Sequence, residues 1–130
     1  MDYNIVITAD AEADLDGFIQ YLLFEKKNEQ AAKNVLDDFE ATKEYLKNVA
    51  GSLNLCDNPR FRVLGYRRIH FLRHRYFILY RIEGNLVFID NIFHELQDYE
   101  NKIMNLVSQG DIELLKSGLV ELGTSVLPIL

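Results

Sequence analysis

Seven arginines and two histidines fall between Arg60 and Arg81, with no aspartate or glutamate among them. This segment carries +7 and the remainder of the chain −13, which together make the net charge of −6. Such asymmetry suits an anion or an acidic partner. Guanidinium groups grip carboxylate and phosphate oxygens through paired donors, and imidazole titrates near neutral pH. Arg68, Arg81, His70 and His94 therefore have the chemistry to hold an oxyanion and move a proton beside it. Arg67 and Arg75 add binding charge, and Asp90 can orient a histidine or a guanidinium. The same groups also have plainer uses. Arg68 and Arg81 suit ion pairs with Asp90, His70 can pack between Ile69 and Phe71, and His94 can hydrogen-bond backbone where a strand passes into a helix.

A sheet is needed to bring these residues together. Tyr66–Leu72 and Arg75–Ile82 are rich in aromatic and β-branched residues, and they meet at Arg73 and His74, which predicts a β-hairpin. Its register places Leu72 opposite Arg75, His70 opposite Phe77, Arg68 opposite Leu79 and Tyr66 opposite Arg81. Arg67, Ile69, Phe71, Tyr76, Ile78 and Tyr80 share the other, core-facing side. Gly84 and Asn85 suit a tight turn, so Leu86–Phe93 folds back with Arg81 opposite Phe88 and Leu79 opposite Asp90. His94 has the parity of Asp90. The expected site is one cationic face carrying Arg68, His70, Arg75, Arg81, Asp90 and His94.

The remaining chain supplies what covers the opposite face. At 130 residues and 48% hydrophobic composition, one compact domain with its own core is expected. No apolar run approaches the roughly 18 residues of a membrane span and no leader opens the chain, so a cytoplasmic protein with no membrane partner is expected. The lone Cys56 has no intrachain partner for a disulfide, and no Cys/His spacing resembles a zinc site, so neither a metal nor a cofactor is expected. Tyr3–Thr8 alternates as a short strand. A helix follows, capped by Thr8 or Asp10, with Leu15, Phe18, Ile19 and Leu22 as its buried stripe. A second helix over Glu29–Val49 turns Ala32, Val35, Leu36, Phe39, Leu46 and Val49 inward and pairs antiparallel with the first. Its outer face holds Asp37, Asp38, Glu40 and Glu44 with Lys33, Lys43 and Lys47, a solvated charge pattern. Gly51–Pro59 is a loop. Glu95–Val107 reads as a helix with Leu96, Tyr99, Ile103 and Leu106 inward, and Asp111–Leu122 as a shorter one. The expected fold is α+β, a helical hairpin on a small, mostly antiparallel four-stranded sheet over residues 1–104, with residues 105–130 as a C-terminal helical extension.

This order of elements resembles a known family. Arg67-Arg68-Ile69, the run Tyr76–Arg81, the turn Glu83-Gly84-Asn85 and the ending His94-Glu95-Leu96-Gln97-Asp98-Tyr99 are similar to the RelE/ParE toxins of bacterial type II toxin–antitoxin systems, over about Tyr3–Met104. Gln97 stands where many ParE-like members have arginine, and typical members lack the extension. The resemblance implies a growth-inhibiting toxin held silent by a cognate antitoxin. ParE-like members poison DNA gyrase, and RelE-like members cut messenger RNA in the ribosome. An inactive relative is the third alternative. RNA cleavage needs a base, an acid and cations around the phosphate, for which His94 or His70 with Arg68 and Arg81 are the candidates. At −6 overall, bulk nucleic acid should bind poorly. The reading leans to the gyrase-type or an undetermined target. The apolar side of the extension, Ile112, Leu115, Leu119 and Leu122, must be buried: within the chain, against a second subunit in a homodimer, or in the antitoxin groove.

Overall fold

Apolar alternation in four short segments closes into one sheet in the computed structural model, which describes residues 2–97. The chain divides into two units, Met1–His94 and Glu95–Leu130. The first unit holds every strand and helix of the described residues, and the second is described only over Glu95–Gln97. Glu95 and Leu96 form a turn, and Leu96 is 83% exposed where the sequence places it inward. The rest of the expected Glu95–Val107 helix, the Asp111–Leu122 helix and the 105–130 extension lie outside the described residues.

Strand β1 (Asn4–Ile7) leads through the Thr8 cap into helix α1 (Ala9–Gln20), which continues as a wider π turn over Tyr21–Glu25. The Thr8 side chain accepts from the Ala11 N–H at 3.2 Å, and Asp10 and Glu12 in the first turn favour the positive helix end. Helix α2 (Glu29–Val49) has the bounds expected from the sequence, started by Asn28, whose side chain accepts from the Ala31 N–H at 2.9 Å. Helix α3 (Pro59–Val63) forms where the sequence reading places none. Its signal is the pair Asn58-Pro59: the asparagine caps, and proline at the first helical position lacks only an N–H that would be unpaired there anyway. Strands β2 (Arg67–His70), β3 (Tyr76–Glu83) and β4 (Leu86–His94) complete the sheet.

The sheet order is β1-β4-β3-β2, with β1 parallel to β4 and the other pairs antiparallel. Helices α1 and α2 bury Ile19, Ala32, Val35, Phe39 and Leu46 against Ile69, Phe71, Ile78, Tyr80, Ile89 and Ile92 on one sheet face. Leu36, expected inward, is 40% exposed. The second face is less cationic than its arginines suggest. Phe77, Leu79 and Phe93 are buried there, and Phe61 of α3 packs edge-on to Tyr66 at 6.2 Å between ring centroids.

The hairpin register agrees with the sequence where the ladder is regular: Arg68 pairs with Leu79, His70 with Phe77 and Arg81 with Phe88. It departs at two places. The ladder ends at His70, followed by a Phe71 N–H to Tyr76 carbonyl bond of 2.8 Å, so Leu72–Arg75 is a wider turn and Leu72 does not pair with Arg75. In β4, Leu79 pairs with Asn91 rather than Asp90, and Tyr80 with Ile89, so Asp90 is the extra residue of a β-bulge.

Behind the sheet, the 3₁₀ turn Ala50–Ser52 is tied down by the Tyr80 hydroxyl, which donates to the Ala50 carbonyl at 2.8 Å, and the next residue, Leu53, takes the Arg67 Nε–H at 2.9 Å. The hydroxyl end of Tyr3 abuts Gly51, so a Cβ there would collide with it. Gly51→Ala is expected to lower stability by about 1 to 3 kcal/mol, as overpacking does. Adding Tyr3→Phe should recover most of the loss in thermal melting; no recovery would place the cost elsewhere.

Candidate functional site

The bulge decides which of the chemically capable residues meet. An extra residue in a strand reverses side-chain alternation beyond it. Asp90 remains on the face of Arg68, His70 and Arg81, but His94, paired with Tyr76, is carried to the helix side. There its ring meets Tyr76 edge-on at 5.1 Å, and Tyr76 packs on Phe18 at 4.8 Å and Phe71 at 5.4 Å. The expected sharing of one face by His94 and Asp90 is therefore corrected. Thr8 and α1 hold the strand on both sides of this position. Thr8 Oγ1 lies 3.0 Å from the Ile89 carbonyl and 3.2 Å from that of Asp90, and Asp14 accepts from the Ile92 N–H at 2.9 Å and from the Asn91 amide at 3.2 Å. Side chains at the start of α1 thus satisfy the β4 edge where β1 has ended.

On the second face, Asp90 Oδ2 accepts from Arg81 Nε at 2.8 Å and from the Tyr66 hydroxyl at 3.0 Å. Arg81 also pairs with Glu83 and lies over the Phe88 ring at 4.4 Å. Side-chain exposures of 13% for Arg81 and 12% for Asp90 make this a largely buried ion pair. Burial pushes the Asp90 carboxyl above its ordinary value, although Arg81 and the Tyr66 hydroxyl both favour its charged form. Burial, followed by the charge of Asp90, holds the Tyr66 phenol far above its ordinary range.

The other candidates stand apart from this pair. Arg68 lies over the Phe77 ring at 5.4 Å, and His70 is exposed with its ring 5.8 Å from the same phenylalanine. Arg67 is half-buried on the helix side against Leu53. Arg75 stands in the turn, off the ladder.

Sequence reasoning missed a second polar cluster. Asp38, expected on a solvated helix face, is 4% exposed. Its Oδ2 accepts from the Arg73 N–H at 3.0 Å and from His74 Nδ1 at 2.6 Å, while Thr42 Oγ1 takes the Leu72 N–H at 3.1 Å. Against a carboxylate acceptor, Nδ1 is the donor nitrogen of His74. The available signal was spacing: residue 38 follows Val35 by three and precedes Thr42 by four, on the inward stripe of α2. Among the described residues, no group of three or more His, Cys, Asp or Glu side chains is placed to hold a metal ion. None of the described helices is long and apolar enough to cross a membrane.

A helical hairpin laid on a four-stranded sheet whose other face carries arginines defines a small α+β protein of the RelE/ParE toxin fold. Residues 5–99 match the model of the ParE toxin of type II toxin–antitoxin system, parDE, and the chain belongs to that family. It is thus a type II toxin, a class that implies a cognate antitoxin. A solved structure described as the chromosomal ParDE TA system from P. aeruginosa is similar in fold. It has 21% identity and a TM-score of 0.57, and the match covers 71% of this chain and 95% of that one. No curated protein gives a significant match.

Removing one member of a buried ion pair leaves the other charged and unpaired, so Asp90→Ala is expected to cost about 3 kcal/mol by denaturant unfolding. The pH dependence has a definite sign. With its folded-state value raised, Asp90 ionises first in the unfolded chain, so its contribution is fully present below the ordinary value of 3.8 and is lost as pH rises through the higher folded-state value. Asp90→Asn should flatten that fall in stability between the two values; an unchanged slope would assign it to other carboxylates.

Proposed function

We propose that this toxin is a ParE-like gyrase poison that works by binding its target and cuts no RNA. The observation that carries the reading is the bulge at Asp90. Proton transfer to and from an RNA 2′-hydroxyl and leaving oxygen needs an acid and a base within hydrogen-bond reach of one phosphate. His94 lies on the sheet face opposite Arg81, which leaves His70 as the imidazole on the arginine face where an acid and a base are both needed, and Arg81 is engaged by Asp90 and Glu83. The family match, to a ParE toxin, points the same way. In this reading the protein acts in the cytoplasm and is silenced by its antitoxin.

One arrangement favours RelE-like cleavage of messenger RNA instead: the imidazole of His74 is oriented by the buried Asp38 beside Arg73. Brief induction in cells labelled with thymidine or with amino acids separates the two. For a gyrase poison, thymidine incorporation falls first, and the purified protein inhibits supercoiling by gyrase. Amino-acid incorporation falling first would reject the reading. His94→Gln is expected to retain growth arrest; a fall of about a hundredfold or more in its potency, with unchanged melting, would indicate proton-transfer chemistry.

A further inference from the structure

The arginines of the basic segment divide by what already holds them. Arg67 is engaged by the Leu53 carbonyl and Arg81 by Asp90 and Glu83. Arg73 and Arg75 are exposed, and neither guanidinium makes a hydrogen bond or ion pair among the described residues. Both stand on the turn Leu72–Arg75, together with Leu72, which is 51% exposed.

Three bonds hold this turn against α2: the Leu72 N–H to Thr42 Oγ1 at 3.1 Å, the Arg73 N–H to Asp38 Oδ2 at 3.0 Å and His74 Nδ1 to the same oxygen at 2.6 Å. Asp38 and Thr42 are the buried polar residues of α2. Asp38 Oδ1 is also buried, without a hydrogen-bond partner. A buried carboxylate with an unpaired oxygen is destabilising, and a hairpin closed by two residues would need no such group. The fold gains a turn fixed in place, with two uncommitted cations and an apolar side chain presented beside a cavity of about 460 Å³. Asn34, Asp37, Asp38 and Ala41 line its helix wall. Pre-ordering of this kind lowers the entropic cost of binding.

We propose that the Leu72–Arg75 turn, positioned by Asp38, is the surface with which this toxin grips an acidic face of its protein target. The inference rests on the protein-binding reading above. Charge selects an acidic partner, and the solvent-facing Leu72 beside the cations favours a protein over a phosphate backbone, which offers it no apolar contact. Cations at the rim of such a contact speed encounter, and Leu72 supplies apolar area once docked.

The test uses the full chain. Arg73→Glu with Arg75→Glu, and separately Leu72→Ser, are expected to raise the toxin level needed for growth arrest about tenfold or more, with unchanged melting. Lys47→Ala, a loss of one cation at the far end of α2, should leave arrest as it was. Asp38→Asn should raise the required level through a loosened turn. Since that variant alters a buried group, hydrogen exchange of the Leu72 and Arg73 amides tells a freed turn from global unfolding. Full toxicity of the double arginine variant would overturn the proposal. So would turn-dependent binding of the wild-type protein to short duplex DNA or single-stranded RNA at physiological salt. Arrest that depends on the turn but proceeds without inhibition of purified gyrase would reject the gyrase reading and leave the turn in place.

Discussion

One carboxylate oxygen, Asp90 Oδ2, takes the Arg81 guanidinium and the Tyr66 hydroxyl together, and much of the second sheet face depends on that contact. Tyr66 follows the Gly65 turn and leads into β2, and its carbonyl accepts the Cys56 N–H at 2.9 Å, so the bond links the loop before the hairpin to the centre of the sheet. Desolvation works against the charge on Asp90, while Arg81 and the phenol work for it. Desolvation is the largest of these influences, and a buried pair of this kind is weak evidence of net stabilisation. The pair forms at the bulge, and Thr8 and Asp14 satisfy the β4 edge beside it where β1 has ended. The position of His94 follows from the same extra residue.

Asp38 plays the matching part at the other end of the hairpin. In both places a helix sends an acid into irregular backbone: Asp14 to the Ile92 N–H, and Asp38 to the Arg73 N–H. Thr8 and Thr42 supply the adjoining hydroxyls. Irregular backbone near a core is tolerated when each N–H finds an acceptor, and here those acceptors are borrowed from helices rather than from neighbouring strands. The helical hairpin therefore does more than cover the sheet. It sets where the ladder stops, and so which arginines lie on the ladder and which project from the turn.

The regular parts of this arrangement are legible in the sequence because they follow from local periodicity. The bounds of α2 follow from its apolar stripe, and the pairing of Arg68 with Leu79 follows from alternation once the turn is centred on Arg73 and His74. The bulge is not legible, since nothing near Asp90 in sequence marks it; the side chains bonded to the strand around it, Thr8 and Asp14, lie far earlier in the chain. Asp38 is disguised by composition, because its neighbour Asp37 is exposed and the run resembles a solvated face. Arg81 and Asp90 have both a functional and a structural use on sequence grounds, and in the folded chain they occupy each other. Helix α3 escapes notice although Asn58 and Pro59 signal it, since five residues are too few to show a helical period.

The parallel pairing of β1 with β4 joins Asn4 to Leu86 and Ile7 to Ile89. Among the described residues, the first strand in chain order is therefore bonded to the last. Until β4 emerges, β1 has no neighbour in the sheet, the bulge has no strand to occupy, and Arg81 has no Asp90. A nascent chain short of that point holds at most the helical hairpin and the β2–β3 pair, with the apolar side of each exposed. Closure of the sheet across so long a sequence separation is slow compared with helix formation, because the loop entropy must be overcome before the contacts form.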